Sequence, residues 1–244
     1  MSIELSERVQ KFLANQGVAS RREIERWIVA GEIQVDGELC VLGQRITGNE
    51  KIVIRGESYR FTSQVEVRVL LYHKPCGELV TRDDPQQRPK IFDQLPPLNS
   101  GRWLSVGRLD LNTSGLLLLT TDGELANNLM HPRNQIEREY RVRVHGEITD
   151  EILSRLQQGV QLEDGLAKLK LLEVQESRGA NSWCRIVLKE GRNREVRRLW
   201  ESQGLQVSRL IRTRYGTITL PRELNEGKYV ELSDSKVEQL YKLT

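Results

Sequence analysis

The stretch SVGRLDLNTSGLLLLTTDGEL, residues 105–125, decides the fold of the larger part of this chain of 244 residues. Its run Leu116–Leu119 is apolar without interruption, which predicts a short strand buried on both faces. Just before it, Asn112–Gly115 form a turn in which short polar side chains can hydrogen-bond the local backbone. Asp110 therefore lies in a tight turn at the junction of two core strands.

Short strands and helices continue on both sides of this stretch. Their alternation predicts an α+β domain of the size that one core supports. Strands are predicted at 69–72, 104–106, 115–120, 140–144, 168–174 and 184–188, and helices at 123–130, 149–158 and 193–203.

The first 62 residues have a different texture, with two short helices followed by a hairpin. Ser6 is expected to cap the first helix, which ends at Gln16. Ser20 and Glu23 form a capping box at the start of the second helix. An Asp-Gly turn at 36–37 then joins two strands of a hairpin. We therefore expect one domain at 1–62, a polar linker at 63–67 and a second domain at 68–244.

The composition is that of a globular protein, with 38% hydrophobic and 29% charged residues and a net charge of +3. This mildly basic balance permits a nucleic-acid partner without proving one. The three cysteines, Cys40, Cys76 and Cys184, include no CxxC pair, so neither a zinc site nor a disulfide framework is expected. The N-terminus has no apolar leader, and no apolar run could span a bilayer. We expect a cytoplasmic monomer without a membrane partner.

Arginines are concentrated at two places. Arg22 and Arg26 lie four residues apart on one face of the second helix, and Arg21 precedes them. By charge alone, this pattern fits a solvated helix face as well as an RNA-binding one. The second concentration is in residues 189–214, which carry eight basic and three acidic side chains. Together they predict a basic surface whose binding to RNA weakens with salt.

The segment ERVQKFLANQGVASRREIERWIVAGEIQVDG, residues 7–37, resembles the S4 RNA-binding domain over nearly its whole length. The matching features include the run from Gly17 to Arg22 and the turn at Val35–Gly37. The resemblance implies that Arg21, Arg22 and Arg26 contact RNA phosphates. A guanidinium on a rigid helix can bind phosphate with two hydrogen bonds, which positions RNA without reading its sequence.

Residues 107–123 match the pattern G-R-L-D-x-x-T-S-G-L-L-L-L-T-x-D-G, and the chain resembles in this respect the pseudouridine synthases that modify ribosomal RNA. Lys74–Gly77 and Glu190–Leu199 resemble two flanking motifs of that family. A third, K-x-Y, is present with Arg138 in place of its usual lysine. The resemblance implies a mixed, mostly antiparallel sheet with a central cleft, and ribosomal RNA as partner. Among such enzymes, the chain most resembles those of the large subunit.

The resemblance also assigns roles to single residues. It implies that Asp110 is the nucleophile, that Arg197 is its ion-pair partner, and that Tyr140 stacks on the flipped uracil or acts as a base. Without it, Asp110 fits an ordinary turn residue and Tyr140 a core residue. The remaining expected RNA contacts are Lys74, Arg108, Arg192, Arg194 and Arg198.

Pseudouridine formation is an isomerisation, so it requires neither a redox step nor an external group. We accordingly expect no cofactor and no metal, in keeping with a sequence that has no Walker loop and no metal-ligand motif. Two alternatives stay open, namely a non-catalytic RNA-binding assembly factor and a synthase acting on the small-subunit RNA. A hydrolase would need a second carboxylate, for which Asp122 is the nearest candidate.

Overall fold

The computed structural model describes residues 6–61, 66–178 and 181–244. Most of the predicted linker at 63–67 and the first five residues lie outside the described residues. The chain divides into two compact units. The first contains the N-terminal residues up to Arg68 together with Pro96–Leu104 and Thr121–Gly123. The second contains the rest. The domain bounds of 1–62 and 68–244 stay a prediction, to which the structure adds these two later segments.

The described residues of the first unit form two helices and six short strands. They are β1 (Glu7–Arg8), α1 (Val9–Asn15), α2 (Arg21–Val29), β2 (Ile33–Val35), β3 (Glu38–Leu39), β4 (Arg45–Ile46), β5 (Ile52–Ile54) and β6 (Glu57–Tyr59). The predicted capping box is confirmed, since the Ser20 side chain accepts a hydrogen bond from the Glu23 amide at 3.2 Å. The predicted Ser6 cap is wrong. The helix begins three residues later, and the Ser6 hydroxyl accepts from Arg45 instead.

A small antiparallel sheet and the two helices share the core of the first unit. The strand order is β3-β2-β5-β6, and the Asp36-Gly37 turn joins β2 to β3 as predicted. Phe12 and Leu13 of α1, Ile24 and Ile28 of α2, and Ile33 of β2 are all buried in one cluster. The exposed arginines of α2 are thus left on the opposite side of that helix from its apolar residues.

The second unit is built on a large mixed sheet. Its elements are β7 (Val69–Lys74), β8 (Leu104–Ser105), β9 (Ser114–Thr120), α3 (Gly123–Met130), β10 (Arg138–His145), α4 (Asp150–Gln158), β11 (Val160–Leu162), β12 (Gly165–Ala167), β13 (Lys170–Arg178), β14 (Asn181–Leu188), α5 (Glu195–Glu201), β15 (Gln206–Tyr215), β16 (Ile218–Thr219), β17 (Tyr229–Glu231) and α6 (Asp234–Tyr241). The strand order is β13-β14-β10-β15-β9-β7-β17, with β16 beside β15 and β8 beside β9. Pairing is antiparallel except between β15 and β9. The predicted α+β class and mostly antiparallel sheet are confirmed.

The decisive strand, β9, lies in the interior of this sheet. All seven of its residues are buried, which confirms the prediction from the Leu116–Leu119 run. It pairs with β7 on one side and with β15 on the other. Because β9 follows the Asp110 turn directly, the turn is fixed at the end of a central strand.

One long central strand was missing from the expected elements. β15 has ten residues, and it joins β10 to β9. Its sequence QVSRLIRTRY holds three arginines, so its charge obscured its strand character. On one face of the sheet, α4 and α5 cover β10 and β14 with a shared core that includes Leu156, Leu199 and Trp200. Within the described part of the chain, no helix has the length and apolar character needed to cross a membrane.

Gly115 is the point where β9 and β15 approach most closely, and it offers the first test. Its φ is +108°, and a Cβ there would lie 2.3 Å from the Arg212 carbonyl oxygen and 2.6 Å from its nitrogen. We expect Gly115→Ala to lower the free energy of unfolding by roughly 2–4 kcal/mol, because backbone strain and overpacking add.

Chemical denaturation of the two variants Gly115→Ala and Gly204→Ala measures the effect. Gly204 has a φ of +75° but open space around its Cβ position. The control should therefore lose only the strain contribution, about 1 kcal/mol. Equal losses in the two variants would contradict the close approach at Gly115.

Candidate active site

A cavity of about 780 Å³ opens in the second unit, a volume typical of small-molecule sites. Strands β10 and β15, the turn that carries Asp110 and the segment before α5 supply its walls. Its lining includes Arg108, Asp110, Thr113, Arg138, Tyr140, Leu188, Arg192, Arg194, Val196, Leu210, Arg212 and Tyr215. The structure thus brings together Asp110, Tyr140 and three of the arginines that the sequence indicated.

Hydrogen bonds to main-chain carbonyls hold the turn that carries Asp110. The Asp110 carbonyl accepts from the Thr113 amide at 3.0 Å, and the Leu111 carbonyl accepts from the Gly77 amide at 2.8 Å. The next two carbonyls accept from buried cations. Arg197 Nη2 donates to Asn112 O at 2.8 Å, and Lys74 Nζ donates to Thr113 O at 3.0 Å. Each carbonyl from 110 to 113 therefore has a donor, which fixes the backbone under the Asp110 side chain.

Lys74 is part of this turn's support and not of an RNA surface. Its side chain is fully buried, with 0% exposed. The Nζ atom donates to the carbonyls of Pro75 at 2.8 Å, Asp110 at 3.2 Å and Thr113 at 3.0 Å, which uses all three of its protons. The prediction that Lys74 contacts RNA is wrong, because an ammonium enclosed by protein carbonyls cannot reach a phosphate. Burial lowers the pKa of this ammonium, and nearby acidic groups, including Asp110, oppose that shift.

Arg197 lies at the start of α5 and is 8% exposed. Its Nη1 donates to Val207 O and its Nη2 to Asn112 O, both at 2.8 Å. Burial, with the charge of Arg194, lowers the pKa of Arg197, and the charge of Asp110 raises it. The salt bridges found among the described residues do not include an Asp110–Arg197 pair. Arg197 therefore acts on Asp110 at longer range than the expected ion pair, as a buried positive charge that also holds the turn.

Tyr140 lies on β10 at the cavity wall and is 8% exposed. Its strand neighbours across the sheet are Ile186 of β14 and Arg212 of β15. The preceding residue, Glu139, faces the other side of the sheet, where Arg185, Thr213 and Arg214 donate to its carboxylate. Burial raises the pKa of Glu139, but these hydrogen bonds outweigh it and lower the pKa overall. This network fixes the backbone of β10 next to Tyr140.

The predicted phosphate-binding arginines fall into two groups. Arg198 donates to both oxygens of Asp164, at 2.9 and 2.8 Å. Arg192 donates to Glu190 at 2.6 Å and to the carbonyl of Leu166 at 2.8 Å. The phosphate contacts of these two residues stay predictions, and protein oxygens already accept hydrogen bonds from both guanidinium groups.

Arg108 and Arg194 keep the predicted exposed position. Both are exposed at the cavity, and Arg194 has a long ion pair of 3.5 Å with Glu201. They are therefore the arginines of this unit that are best placed to meet a phosphate at the cavity mouth.

Sequence reasoning gave no site role to three further residues of the cavity. Arg138, known only as the basic member of the K-x-Y motif, donates to the Tyr215 hydroxyl at 3.1 Å. The guanidinium carbons of Arg138 and Arg212 lie 5.0 and 5.1 Å from the centre of the Tyr215 ring. The β-branched and aromatic residues at 207, 211, 213 and 215 were the signal that would have placed Arg212 in a strand.

In the first unit, the arginines carried over from the S4 resemblance are on the surface. Arg21, Arg22 and Arg26 are all exposed on α2. Arg26 forms an ion pair with Glu23 on the same helix. An opening beside this helix is lined by Arg8, Arg22 and Arg26 together with apolar residues such as Leu42. Arg21 and Arg22 thus have the exposure that the predicted phosphate contacts require.

Comparison with known proteins identifies both parts of the chain. A family model described as RNA pseudouridylate synthase matches residues 68–202, more than half of the chain. The chain belongs to the RNA pseudouridylate synthase family. A second model, the S4 domain, matches residues 7–52. The predictions of family and of an S4 domain are confirmed.

Several curated relatives are similar over nearly the whole chain. A ribosomal large subunit pseudouridine synthase B of Escherichia coli O6:H1 is 54% identical over 243 residues, which cover 98% of this chain and 84% of that protein. The protein of the same name from Pseudomonas aeruginosa is 52% identical over 241 residues, 98% of this chain and 62% of its own length. A solved structure described as a pseudouridylate synthase has 27% identity and a TM-score of 0.67, and the match covers 96% of this chain and 99% of that one.

The position of Lys74 gives a test that separates support of the turn from RNA binding. We expect Lys74→Met to lower the free energy of unfolding by about 2 kcal/mol, because the carbonyls of Pro75 and Thr113 lose a donor in the core. RNA affinity should change less than about twofold, a difference well under 1 kcal/mol.

Thermal unfolding and filter binding to a ribosomal RNA fragment measure the two quantities. Lys228→Met is the matched control, since Lys228 is exposed. It should leave the unfolding temperature unchanged. If Lys74→Met unfolded like the wild type and bound RNA more weakly, the buried role would be contradicted.

Proposed function

We propose that this chain isomerises a uridine of large-subunit ribosomal RNA to pseudouridine, with Asp110 as the nucleophile. The observation that carries the proposal is the position of Asp110 at a cavity wall, on a turn whose four carbonyls are all held by donors. The relatives named above supply the substrate class. The whole reaction needs a carboxylate, a means of keeping it ionised and a pocket for one extruded base.

The reaction consumes and releases nothing but protons. The bond between N1 of uracil and C1′ of the ribose breaks, the base turns, and a bond from C5 to C1′ forms. C5 then loses a proton and N1 gains one, so that uridine and pseudouridine have the same composition. The carboxylate of Asp110, at the cavity wall, is the group to which we assign the attack on the ribose or the base ring during this exchange.

Two buried cations hold the Asp110 turn through its main-chain carbonyls. Arg197 and Lys74 each interact electrostatically with Asp110. Among the described residues, neither of them forms a direct salt bridge with its carboxylate. The carboxylate oxygens therefore stay available to the substrate.

Tyr140 and the exposed arginines complete the proposed site. The Tyr140 ring lies at the cavity wall, where a flipped uracil could stack on it. Arg108 adjoins the Asp110 turn and is exposed, so it is placed to fill the gap that the base leaves in the RNA stack. Phosphate contacts then come from Arg194 in this unit, and from Arg21, Arg22 and Arg26 in the S4 unit. The expected cytoplasmic location and monomeric state stay predictions.

Replacement of the nucleophile tests the function directly. We expect Asp110→Asn to reduce pseudouridine formation about 1,000-fold or more, because an amide neither attacks nor carries the charge. Purified protein is incubated with protein-stripped large-subunit RNA from cells lacking the enzyme, and pseudouridine is mapped by carbodiimide treatment and primer extension.

Asp122→Asn is the matched control and should keep the wild-type yield. A new primer-extension stop on the small-subunit RNA alone would identify that RNA as the substrate. Binding of RNA with no stop on either RNA would favour the non-catalytic assembly factor. Release of free uracil would indicate a hydrolase.

The salt dependence of binding tests the S4 arginines. We expect Arg22→Gln to reduce the slope of log Kd against log salt by about one, because one phosphate contact is lost. Fluorescence anisotropy with a labelled RNA fragment between low and moderate salt measures the slope. Arg55→Gln serves as the control, since Arg55 is paired with Glu32 at 2.7 Å. An unchanged slope for Arg22→Gln would remove this residue from the RNA interface.

A further inference from the structure

One buried arginine at the cavity wall has most of its hydrogen-bonding capacity unused. Arg212 is 3% exposed, and its Nε donates to Leu116 O at 2.7 Å. Its Nη2 is buried and has no partner among the described residues. A guanidinium has five N–H groups, and Nε supplies only one of them. Since buried polar groups are almost always paired, this side chain indicates a missing acceptor.

The neighbouring Arg138 shows what a purely structural arginine looks like at the same wall. Its Nη1 donates to the carbonyls of Ile136 and Lys189, both at 2.9 Å, and its Nη2 donates to the Tyr215 hydroxyl. Both arginines lie at about the same distance from the Tyr215 ring. Arg138 is thus satisfied by protein, whereas Arg212 is not.

The strand register places Arg212 between the two elements that carry the other site residues. On one side it is paired with Gly115 of β9, five residues after Asp110, and on the other with Tyr140 of β10. The Nε hydrogen bond and the Tyr215 ring restrict its orientation. Thr113, on the Asp110 turn, also lines the cavity, and its buried hydroxyl has no partner among the described residues.

Because Arg212 is buried, it can contact only the part of the nucleotide that enters the cavity. A phosphate carries full charge and stays near solvent, where the exposed Arg108 and Arg194 are found. A flipped base enters further, where Leu210 and Tyr140 line the cavity. Uracil has two carbonyl oxygens that accept hydrogen bonds. We propose that Arg212 donates a hydrogen bond to a carbonyl oxygen of the flipped uracil, an inference that rests on the proposed function.

This contact would strengthen during the reaction. When the C1′–N1 bond breaks, its electron pair goes to the base, and the negative charge spreads from N1 onto O2 and O4. A fixed guanidinium in a water-poor site stabilises that charge more than it stabilises neutral uridine. When C5 bonds to C1′, C5 loses its proton, N1 gains one, and the base is neutral again. Arg212 gives up no proton and needs no further reactant.

An atom-specific substitution in the substrate tests the contact. The RNA fragment that contains the mapped uridine is prepared with uridine, 2-thiouridine or 4-thiouridine at that position, each with tritium at C5. Single-turnover release of tritium is followed for the wild type, Arg212→Met, Arg212→Lys and the control Arg209→Met. Arg209 is on the same strand and half-exposed, with Glu226 3.7 Å away.

The expected result is a coupling between one carbonyl and one side chain. Arg212→Met should slow the reaction of uridine about 100-fold, with RNA affinity changed less than about threefold. Sulfur at the contacted carbonyl should slow the wild type about tenfold but Arg212→Met less than twofold, because sulfur is a weaker acceptor and the variant has no donor there. Arg209→Met should follow the wild type on all three substrates.

If both thio substitutions slowed the wild type and Arg212→Met by equal factors, the contact would be refuted while the proposed function stood. If wild-type protein released no tritium from the uridine substrate, the proposed function would fail and this inference with it. Arg212→Lys covers the case in which Arg212→Met does not fold. If sulfur at one carbonyl slows Arg212→Lys less than it slows the wild type, the contact is supported. If sulfur at each of the two carbonyls slows Arg212→Lys as much as it slows the wild type, the contact is refuted.

Discussion

The site depends on the hydrogen bonding of four successive carbonyls, those of residues 110 to 113. A tight turn leaves its carbonyls without regular strand partners, and such groups are costly to bury unpaired. Here two main-chain amides and two cationic side chains satisfy them. The two cations also lie close enough to Asp110 to interact with its charge. One arrangement thus fixes the backbone of the turn and places positive charge near its carboxylate.

The geometry of β9 explains why this arrangement is rigid. The turn is followed at once by a strand that is buried on both faces and paired on both sides. Gly115, at its start, allows the backbone of β15 to approach to a distance that no side chain would permit. The same close approach brings Arg212 beside the turn. Support of Asp110 and placement of Arg212 are therefore consequences of a single contact between two strands.

The sequence predicted the parts of the molecule whose patterns are uniform. The apolar run of β9, the capping box of α2 and the Asp-Gly hairpin were correctly placed. Each of them has a single physical cause. β15 was missed because three arginines are interspersed among its apolar residues, and two of them, Arg212 and Arg214, have partners within the sheet. Its pattern was attributed to a basic surface. Most charged residues of a protein are exposed to solvent, but those on a strand that lines a functional site can be buried. A prediction from charge alone is therefore least reliable at such a strand.

Lys74 and Arg198 show that sequence is also a limited guide to the function of a single residue. A motif identifies a residue type, but not whether its donors face substrate or protein. Lys74 precedes a proline and has the pattern of a surface residue, yet its ammonium is enclosed by the carbonyl of Pro75 and by two carbonyls of the distant Asp110 turn. Arg198 lies one residue from Arg197 but is directed to Asp164. Such partners depend on tertiary contacts, which local sequence does not contain.

The arginines of the second unit can instead be sorted by what remains unpaired. Arg138, Arg192 and Arg198 donate to protein oxygens, so their removal would act first on folding. Arg108 and Arg194 are exposed at the cavity, where their side chains can reach a phosphate. Arg212 is neither satisfied nor exposed. In the site as proposed, which takes one base out of water, a donor of this third kind is useful, because the cost of burying it unpaired is recovered only when a base with a suitably placed acceptor enters.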